Sequence, residues 1–132
     1  MRYSDAYALQ VKLREERRAG RIDDTLLLLE HPPTFTMGRR DCAGDFRVPP
    51  ATLIRFGFDI IKVERGGKIT YHGPGQLVGY LICDLKERRL SVPDFVAAVE
   101  QGLAEVLARQ GVVSGRQPGY PGLWVEGRKI VS

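Results

Sequence analysis

Residues 65–80, RGGKITYHGPGQLVGY, constrain the fold more than any other stretch. They hold five of the chain's 15 glycines (Gly66, Gly67, Gly73, Gly75 and Gly79) and run straight into LVGYLICDL. Glycine at this density disfavours helix, and the residues that follow favour a strand. A phosphate-binding glycine loop opens a helix whose free N–H groups hold the anion, and no such helix follows here. The P-loop pattern is also absent, because Gly67-Lys68 is followed by Ile69. The dinucleotide pattern fails too, with Pro74 between Gly73 and Gly75 and Val78 where the third glycine belongs. The stretch offers instead a cation, Arg65, beside backbone that a ligand can approach closely, and Tyr71 and His72 next to the tight turn HGPGQ. The same spacing equally suits a plain hairpin in which His72 is merely hydrogen-bonded.

Around this stretch, short apolar runs alternate with helical patterns. Ser4 is placed to cap a helix reaching about Ala19, with Gly20 as its stop. Ala6, Leu9, Leu13 and Glu16 give that helix a narrow apolar face, which predicts a surface position. TLLLLEH (25–31) suits a buried strand ended by Pro32-Pro33, and TFTMG (34–38) a second strand. RRDCAGDFRVPP reads as an exposed loop, PATLIRFGF as one or two helical turns, and DIIKVER (59–65) as an imperfect strand. The clearest helix is SVPDFVAAVEQGLAEVLARQG, with Val92, Phe95, Val96, Val99, Leu103, Val106 and Leu107 repeating at threes and fours. Ser91 and Asp94 form its capping pair, Pro93 lies in its first turn, and Gly111 ends it. YPGLWVEGRKIVS reads as a strand, a tight turn at Glu126-Gly127 and the beginning of a return strand. This order predicts an α/β fold with a mixed sheet and several hairpins rather than parallel winding. With 132 residues, no repeat and no linker, a single domain over 1–132 is expected. The return strand has only begun at Ser132, so further sequence is expected to follow in the natural protein.

The net charge of +4 and pI near 9.3 fit acidic partners. REERR and KERR mix both signs, however, and there is no dense basic arm, so nucleic-acid binding is not expected. No run approaches the roughly 20 apolar residues of a membrane span, so no membrane association is expected. The charged N-terminus also lacks a secretory apolar block, and a cytoplasmic location is expected. Cys42 and Cys83 are too few for a disulfide framework and lack zinc-site spacing, so no metal is expected. Cys83 reads as a small apolar core residue. Cys42 reads as a surface cysteine: Arg39 and Arg40 act to lower its pKa, but Asp41 opposes them and no histidine is nearby in sequence. His31, in EHPP, reads as a strand-terminal histidine satisfied by backbone, and Lys129, in GRKIVS, as a strand-edge lysine.

Three pieces together, EHPPTFTMGRR (30–40), RGGKITYHGPGQLVGY (65–80) and PGLWVEGRKIVS (121–132), resemble the lipoyl(octanoyl) transferases, the octanoyl-[acyl carrier protein]–protein N-octanoyltransferases of lipoate biosynthesis. The likeness runs from the first helix to the last residue and lacks the family's C-terminal part. It implies the α/β fold shared with biotin and lipoate protein ligases. It further implies transfer of an octanoyl group from the thioester of acyl carrier protein to a lysine of lipoyl domains, those of 2-oxoacid dehydrogenases and of the glycine cleavage H protein. No nucleotide, metal or other cofactor is implied. Position by position, Arg65, Gly66, Gly67, Lys68, Ile69, Thr70, Tyr71 and His72 match the family's substrate-binding segment, and Ser132 matches the first residue of a second one. Lys129 matches the lysine that lowers the pKa of the nucleophilic cysteine, since a nearby ammonium stabilises a thiolate. That cysteine lies in the family's C-terminal part, and neither Cys42 nor Cys83 occupies its position. Two alternatives stay open: an ATP-dependent lipoate or biotin protein ligase, and a non-catalytic fragment that binds an acyl group or a lipoyl domain.

Overall fold

A computed structural model describes residues 1–40 and 43–132, and the reading of Cys42 as a surface cysteine lies outside them. The chain divides into two compact units, Met1–Cys83 and Asp84–Ser132, taken here in turn.

The first unit runs α1 (Tyr3–Arg18), β1 (Thr25–Leu29), β2 (Thr34–Met37), a 3₁₀ turn (Ala43–Asp45), α2 (Pro50–Arg55), β3 (Asp59–Lys62), β4 (Ile69–His72) and β5 (Val78–Ile82). Helix α1 starts one residue before Ser4, so the expected cap does not form. The Ser4 hydroxyl instead donates to Asp5 at 3.3 Å, and the N-cap position belongs to Arg2, whose side chain makes no capping bond. Only Ala6 of α1 is buried, as its narrow apolar face requires. Prolines confine β1: it stops at Leu29, and β2 begins only after Pro32-Pro33.

Two small sheets form from these strands. β1 and β5 pair antiparallel, with Leu27 opposite Tyr80 and Leu29 opposite Val78. In the other sheet β2 lies in the middle, parallel to β3 and antiparallel to β4. A parallel pair needs a long crossover, and the segment carrying α2 supplies it between β2 and β3. Strand alternation then gives the second sheet two unlike faces. Phe35 and Tyr71, directly opposite each other, stand on one face and meet Phe58 and, through Phe35, Phe46, with ring centroids 5.2–6.3 Å apart. Thr34, Thr36, Thr70 and His72 share the opposite face, where Thr34 and Thr36 are fully buried.

Cys83 corrects one expectation. It follows the last residue of β5 and is half-buried rather than part of the core, because Ile82 takes the inward position. It lines a shallow cavity of about 260 Å³ with Tyr7, Gln10, Arg14 and Leu81 among its neighbours.

The second unit runs α3 (Val92–Arg109), β6 (Gly115–Gln117), β7 (Tyr120–Val125) and β8 (Arg128–Val131), the three strands forming an antiparallel sheet in that order. α3 is capped as its sequence predicts: Ser91 Oγ accepts the Asp94 N–H at 3.2 Å and donates to the Asp94 carboxylate at 2.5 Å. Glu126 and Gly127 both have positive φ, 48° and 74°, the turn that best matches the twist of a two-residue hairpin. The short strand β6 has no signal in the sequence, being Gly-Arg-Gln. No residue of α3 is fully buried, and Val92, Val96, Leu103 and Val106 of its apolar stripe are exposed.

Candidate functional site

Topology dictates the local geometry of residues 65–72. β3 and β4 flank β2 on opposite sides, so the connection between them must cross the end of β2. It crosses at Gly38. A side chain there would collide with the carbonyl oxygens of Gly67, Gly66 and Arg65, the last two at 2.9 and 3.0 Å from a Cβ. Backbone bonds fasten the crossing: Gly38 N–H donates to Lys68 O at 2.8 Å, Arg39 N–H to Arg65 O at 3.0 Å, and Val63 N–H to Met37 O at 2.8 Å. The glycine of TMGRR thus exists to let the RGGK loop lie flat on the strand end.

Arg65 locks the same crossing from its side chain. Nη2 donates to the carbonyl and the hydroxyl of Thr36 at 2.7 and 2.8 Å, and Nη1 donates to Gly66 O at 2.9 Å. All these acceptors are neutral, and no carboxylate among the described residues pairs with the guanidinium. Its orientation is fixed while its charge stays uncompensated. Lys68, in contrast, is spent on an exposed ion pair with Asp45, 2.9 Å away. Gly66 and Gly67 are exposed, leaving their backbone open to a ligand.

His72, at the end of β4, sits in a tier of aromatic and imidazole rings. The His31 ring lies 5.5 Å away edge-on, and Tyr3 packs on both histidines at 5.2 and 6.1 Å. His72 Nδ1 bonds the Gln76 amide oxygen at 3.1 Å, and Gln76 is itself held in the HGPGQ turn by its N–H to Gly73 O at 3.1 Å. That turn is pinned in turn by Gly75 N–H donating to the Glu30 carboxylate at 2.8 Å. Burial pushes the His72 pKa below its ordinary value, and the nearby His31 and Arg65 push it the same way, against the bond to Gln76.

His31 is 1% exposed and uses both ring nitrogens. Nδ1 lies 2.8 Å from the Met1 carbonyl and Nε2 2.8 Å from the Tyr80 hydroxyl. A carbonyl only accepts, so Nδ1 carries the hydrogen and, in the neutral ring, Nε2 accepts from Tyr80. The expectation of a backbone-satisfied histidine holds, with Tyr80 as an additional partner. Burial, with the neighbouring Tyr3, raises the Tyr80 pKa to about 12 against an opposing bond to Gln10, which keeps the phenol a donor. Tyr3 is raised chiefly by burial as well, although Arg65 opposes it.

The first unit therefore brings Arg65–His72 together with Glu30, His31, Gly38, Gln76 and Tyr80. The sequence reading gave none of these last five a role in the site. Their signal was the quoted motifs themselves: Glu30, His31 and Gly38 lie in EHPPTFTMGRR, and Gln76 and Tyr80 in RGGKITYHGPGQLVGY. The strand separates some of the expected residues, with Ile69 and Tyr71 on the aromatic face and Thr70 and His72 on the threonine face.

Lys129 and Ser132 belong to the second unit. Lys129 is exposed on β8; its Nζ donates to Pro121 O at 2.8 Å and stands 4.9 Å from the centroid of the Trp124 ring, across the strand pair. It has no carboxylate partner among the described residues. The strand opposite is anchored to α3: Gly122, at φ 118°, donates its N–H to Glu100 at 2.7 Å, and Glu100 also pairs with Arg116 at 2.9 Å. Ser132 follows β8 and is exposed. Among the described residues no group of three or more His, Cys, Asp or Glu is placed to hold a metal ion, and no helix is long and apolar enough to cross a membrane.

Known proteins share this sequence and architecture. The chain is 42% identical over 132 residues to an octanoyltransferase of Geobacter sulfurreducens, covering 100% of this chain and 53% of that protein. It is 44% identical over 123 residues to one of Myxococcus xanthus, covering 93% of this chain and 34% of that one, and 39% identical over 131 residues to one of Desulforamulus reducens, covering 98% and 58%. The chain thus spans about half the length, or less, of such relatives. A solved structure from T. acidophilum, a candidate lipoate protein ligase, superposes with a TM-score of 0.64 over 92% of this chain and 55% of its own, at 15% identity. That likeness bears out the expected mixed α/β fold of the biotin and lipoate ligase type. Residues 2–132 match the lipoyl protein ligase A/B catalytic domain, and the chain belongs to that family.

Proposed function

We propose that this chain forms the substrate-binding part of an octanoyltransferase. An octanoyl group passes from the thioester of acyl carrier protein to a cysteine thiolate, and from that cysteine to a lysine amine of a lipoyl domain. The observation that carries this reading is the fastening of EHPPTFTMGRR to RGGKITYHGPGQ through Gly38, Arg65 and the bond from Gly75 to Glu30. These two stretches carry the likeness to the octanoyltransferases, and they fold into one hydrogen-bonded cluster.

Residues 65–72 hold the donor. Gly66 and Gly67 let it lie against backbone, and each methylene it buries contributes about 0.8 kcal/mol. Arg65 contributes an oriented positive charge. Lys129 stabilises the attacking thiolate, for which it is suited by an ammonium that no described carboxylate neutralises. Ser132 begins a second binding segment. Acyl carrier protein is the donor, and the lipoyl domains of 2-oxoacid dehydrogenases and of the glycine cleavage H protein are the acceptors. The net charge of +4 supports acidic protein partners. No cofactor takes part, and the reaction belongs to the cytoplasm.

Incubating the protein, in its natural length, with octanoyl-acyl carrier protein tests this reading. A mass increase of one octanoyl group on a cysteine is expected, and its absence with a competent donor refutes the mechanism. The family also includes ligases, so the same assay is run with lipoate, ATP and magnesium; product formed only with ATP would assign the chain to the ligase chemistry instead.

A further inference from the structure

A lysine that stabilises a thiolate must hold its charge in one direction, yet a flexible four-carbon stem separates that charge from the backbone. The hairpin of the second unit supplies the restraint. Within the transferase reading above, we infer that Trp124 is the residue that positions the Lys129 ammonium. Gly122 is kept bare so that the lysine stem can reach along β7.

Successive contacts define a track for the side chain. Trp124 stands directly opposite Lys129 in the strand pair, and the ammonium lies 4.9 Å from the centroid of its ring. The stem runs past Gly122, where a Cβ would stand 3.4 Å from Lys129 Cε. The track ends at Pro121, whose carbonyl accepts from Nζ at 2.8 Å. The lysine therefore lies along its partner strand.

The strands are shaped for this path. Leu123 faces Val131 and Trp124 faces Lys129, which makes Ile130 an extra residue in β8. Such a bulge bends its strand and re-aims the neighbouring side chains. It also puts the Val131 carbonyl where a side chain at Gly122 would stand, and the φ of 118° there suits glycine. The indole is fixed in its turn. Its N–H donates to Tyr120 O at 3.4 Å, and the Tyr120 ring meets it edge-on at 6.3 Å.

This restraint orients the charge without cancelling it. A carbonyl and an indole face attract a cation through their dipole and quadrupole, and neither carries a negative charge. A carboxylate in their place would compete with the thiolate for the ammonium. Glu100, the carboxylate that reaches β7, is already held by the Gly122 N–H at 2.7 Å and by Arg116 at 2.9 Å. The hairpin thus keeps Lys129 both directed and available. Trp124 acts on the reaction only through it, as a positioning residue.

The test follows acylation of the natural-length protein by octanoyl-acyl carrier protein in single turnovers, across donor concentrations. A cation–π contact at an exposed site favours the oriented ammonium about 2- to 5-fold. Trp124→Leu is expected to lower the limiting rate by that factor and to leave the half-saturating donor concentration unchanged. Trp124→Phe keeps an aromatic face and is expected to recover most of the rate. An unchanged rate in Trp124→Leu, or equal losses in the two variants, overturns the inference while the transferase reading stands; a wild-type protein that never acylates overturns both. Proton NMR of the unsubstituted protein supplies a readout that needs neither activity nor a variant. The Lys129 Cε protons, next to an ammonium held over the indole, are expected upfield of those of a solvated lysine through ring-current shielding. A solvated shift there overturns the inference.

Discussion

The two units hold their candidate site residues in opposite ways. In the first, Arg65 and His72 are oriented by partly buried neutral groups: a threonine hydroxyl and carbonyl, an amide, and the rings of Tyr3 and His31. In the second, Lys129 lies on an exposed hairpin, steadied by one carbonyl and the face of one indole. Buried networks of the first kind are costly to disturb, because a partner removed leaves a desolvated polar atom behind. Surface contacts of the second kind are readily replaced by water. The first unit is therefore built to fix directions, and the second presents an exposed charge.

Each unit nevertheless contains a glycine at which a Cβ would collide with backbone, and these give the largest expected effects. Gly122→Ala drives a methyl into the Val131 carbonyl at a φ of 118°, and Gly38→Ala drives one into three carbonyls of the crossing loop. Overpacking of this kind costs about 1–3 kcal/mol, and the left-handed backbone at Gly122 adds about 1–3 kcal/mol. Urea unfolding midpoints should fall for both, and further for Gly122→Ala. Gly38→Ala should also weaken binding of an octanoyl donor, which calorimetry would show.

Tyr80→Phe sharpens the contrast next. It leaves Nε2 of the buried His31 unpartnered, at a cost of about 1–3 kcal/mol. Trp124→Leu removes the contact beneath an exposed ammonium, worth about 0.5–1 kcal/mol, along with the indole N–H bond to Tyr120 O and the edge contact with the Tyr120 ring. Equal losses for the two, measured by thermal unfolding, would abolish the distinction drawn between the units.

The pH dependence of stability is the subtlest signature. The folded pKa of His72 lies below its ordinary 6.5, so the unfolded chain binds the proton first as the solution is acidified. Its stabilising contribution is complete above pH 6.5 and declines as pH falls from there through the lower folded value. Tyr80 acts at the other extreme: its folded pKa of about 12 against an ordinary 10.0 means stability is lost as pH rises between those values. His72→Gln should remove the acid dependence, and Tyr80→Phe should shrink the alkaline one, which Tyr3, also raised by burial, shares. A first unit whose unfolding midpoint stays flat across both windows would contradict the burial described for these rings.

Much of this architecture was legible in the residues. The capped helix α3, the hairpin turn at Glu126-Gly127 and the break at Pro32-Pro33 are local events, each decided by a few neighbouring side chains. The glycine-rich stretch was correctly denied a helix. Ser4 misled because an N-cap depends on where the chain enters the helix, and here it enters two residues earlier, with Arg2 at the cap position. Cys83 misled because strand alternation had already given the inward place to Ile82. The roles of Gly38 and His31 were hidden for a different reason. Gly38 is required by a loop nearly 30 residues downstream, and His31 is satisfied by a tyrosine 49 residues away. Only the order of strands brings those partners together.

The crossing at Gly38 also equips the molecule with its own reporters. The amide hydrogens of Gly38 and Arg39 are both committed to the loop that passes over them, at 2.8 and 3.0 Å. Each time that loop lifts, these two hydrogens become available to solvent while those deeper in the strand stay paired. Their deuterium uptake, read alone, is a clock for the opening of the glycine loop, and a bound acyl donor that presses the loop down should slow it.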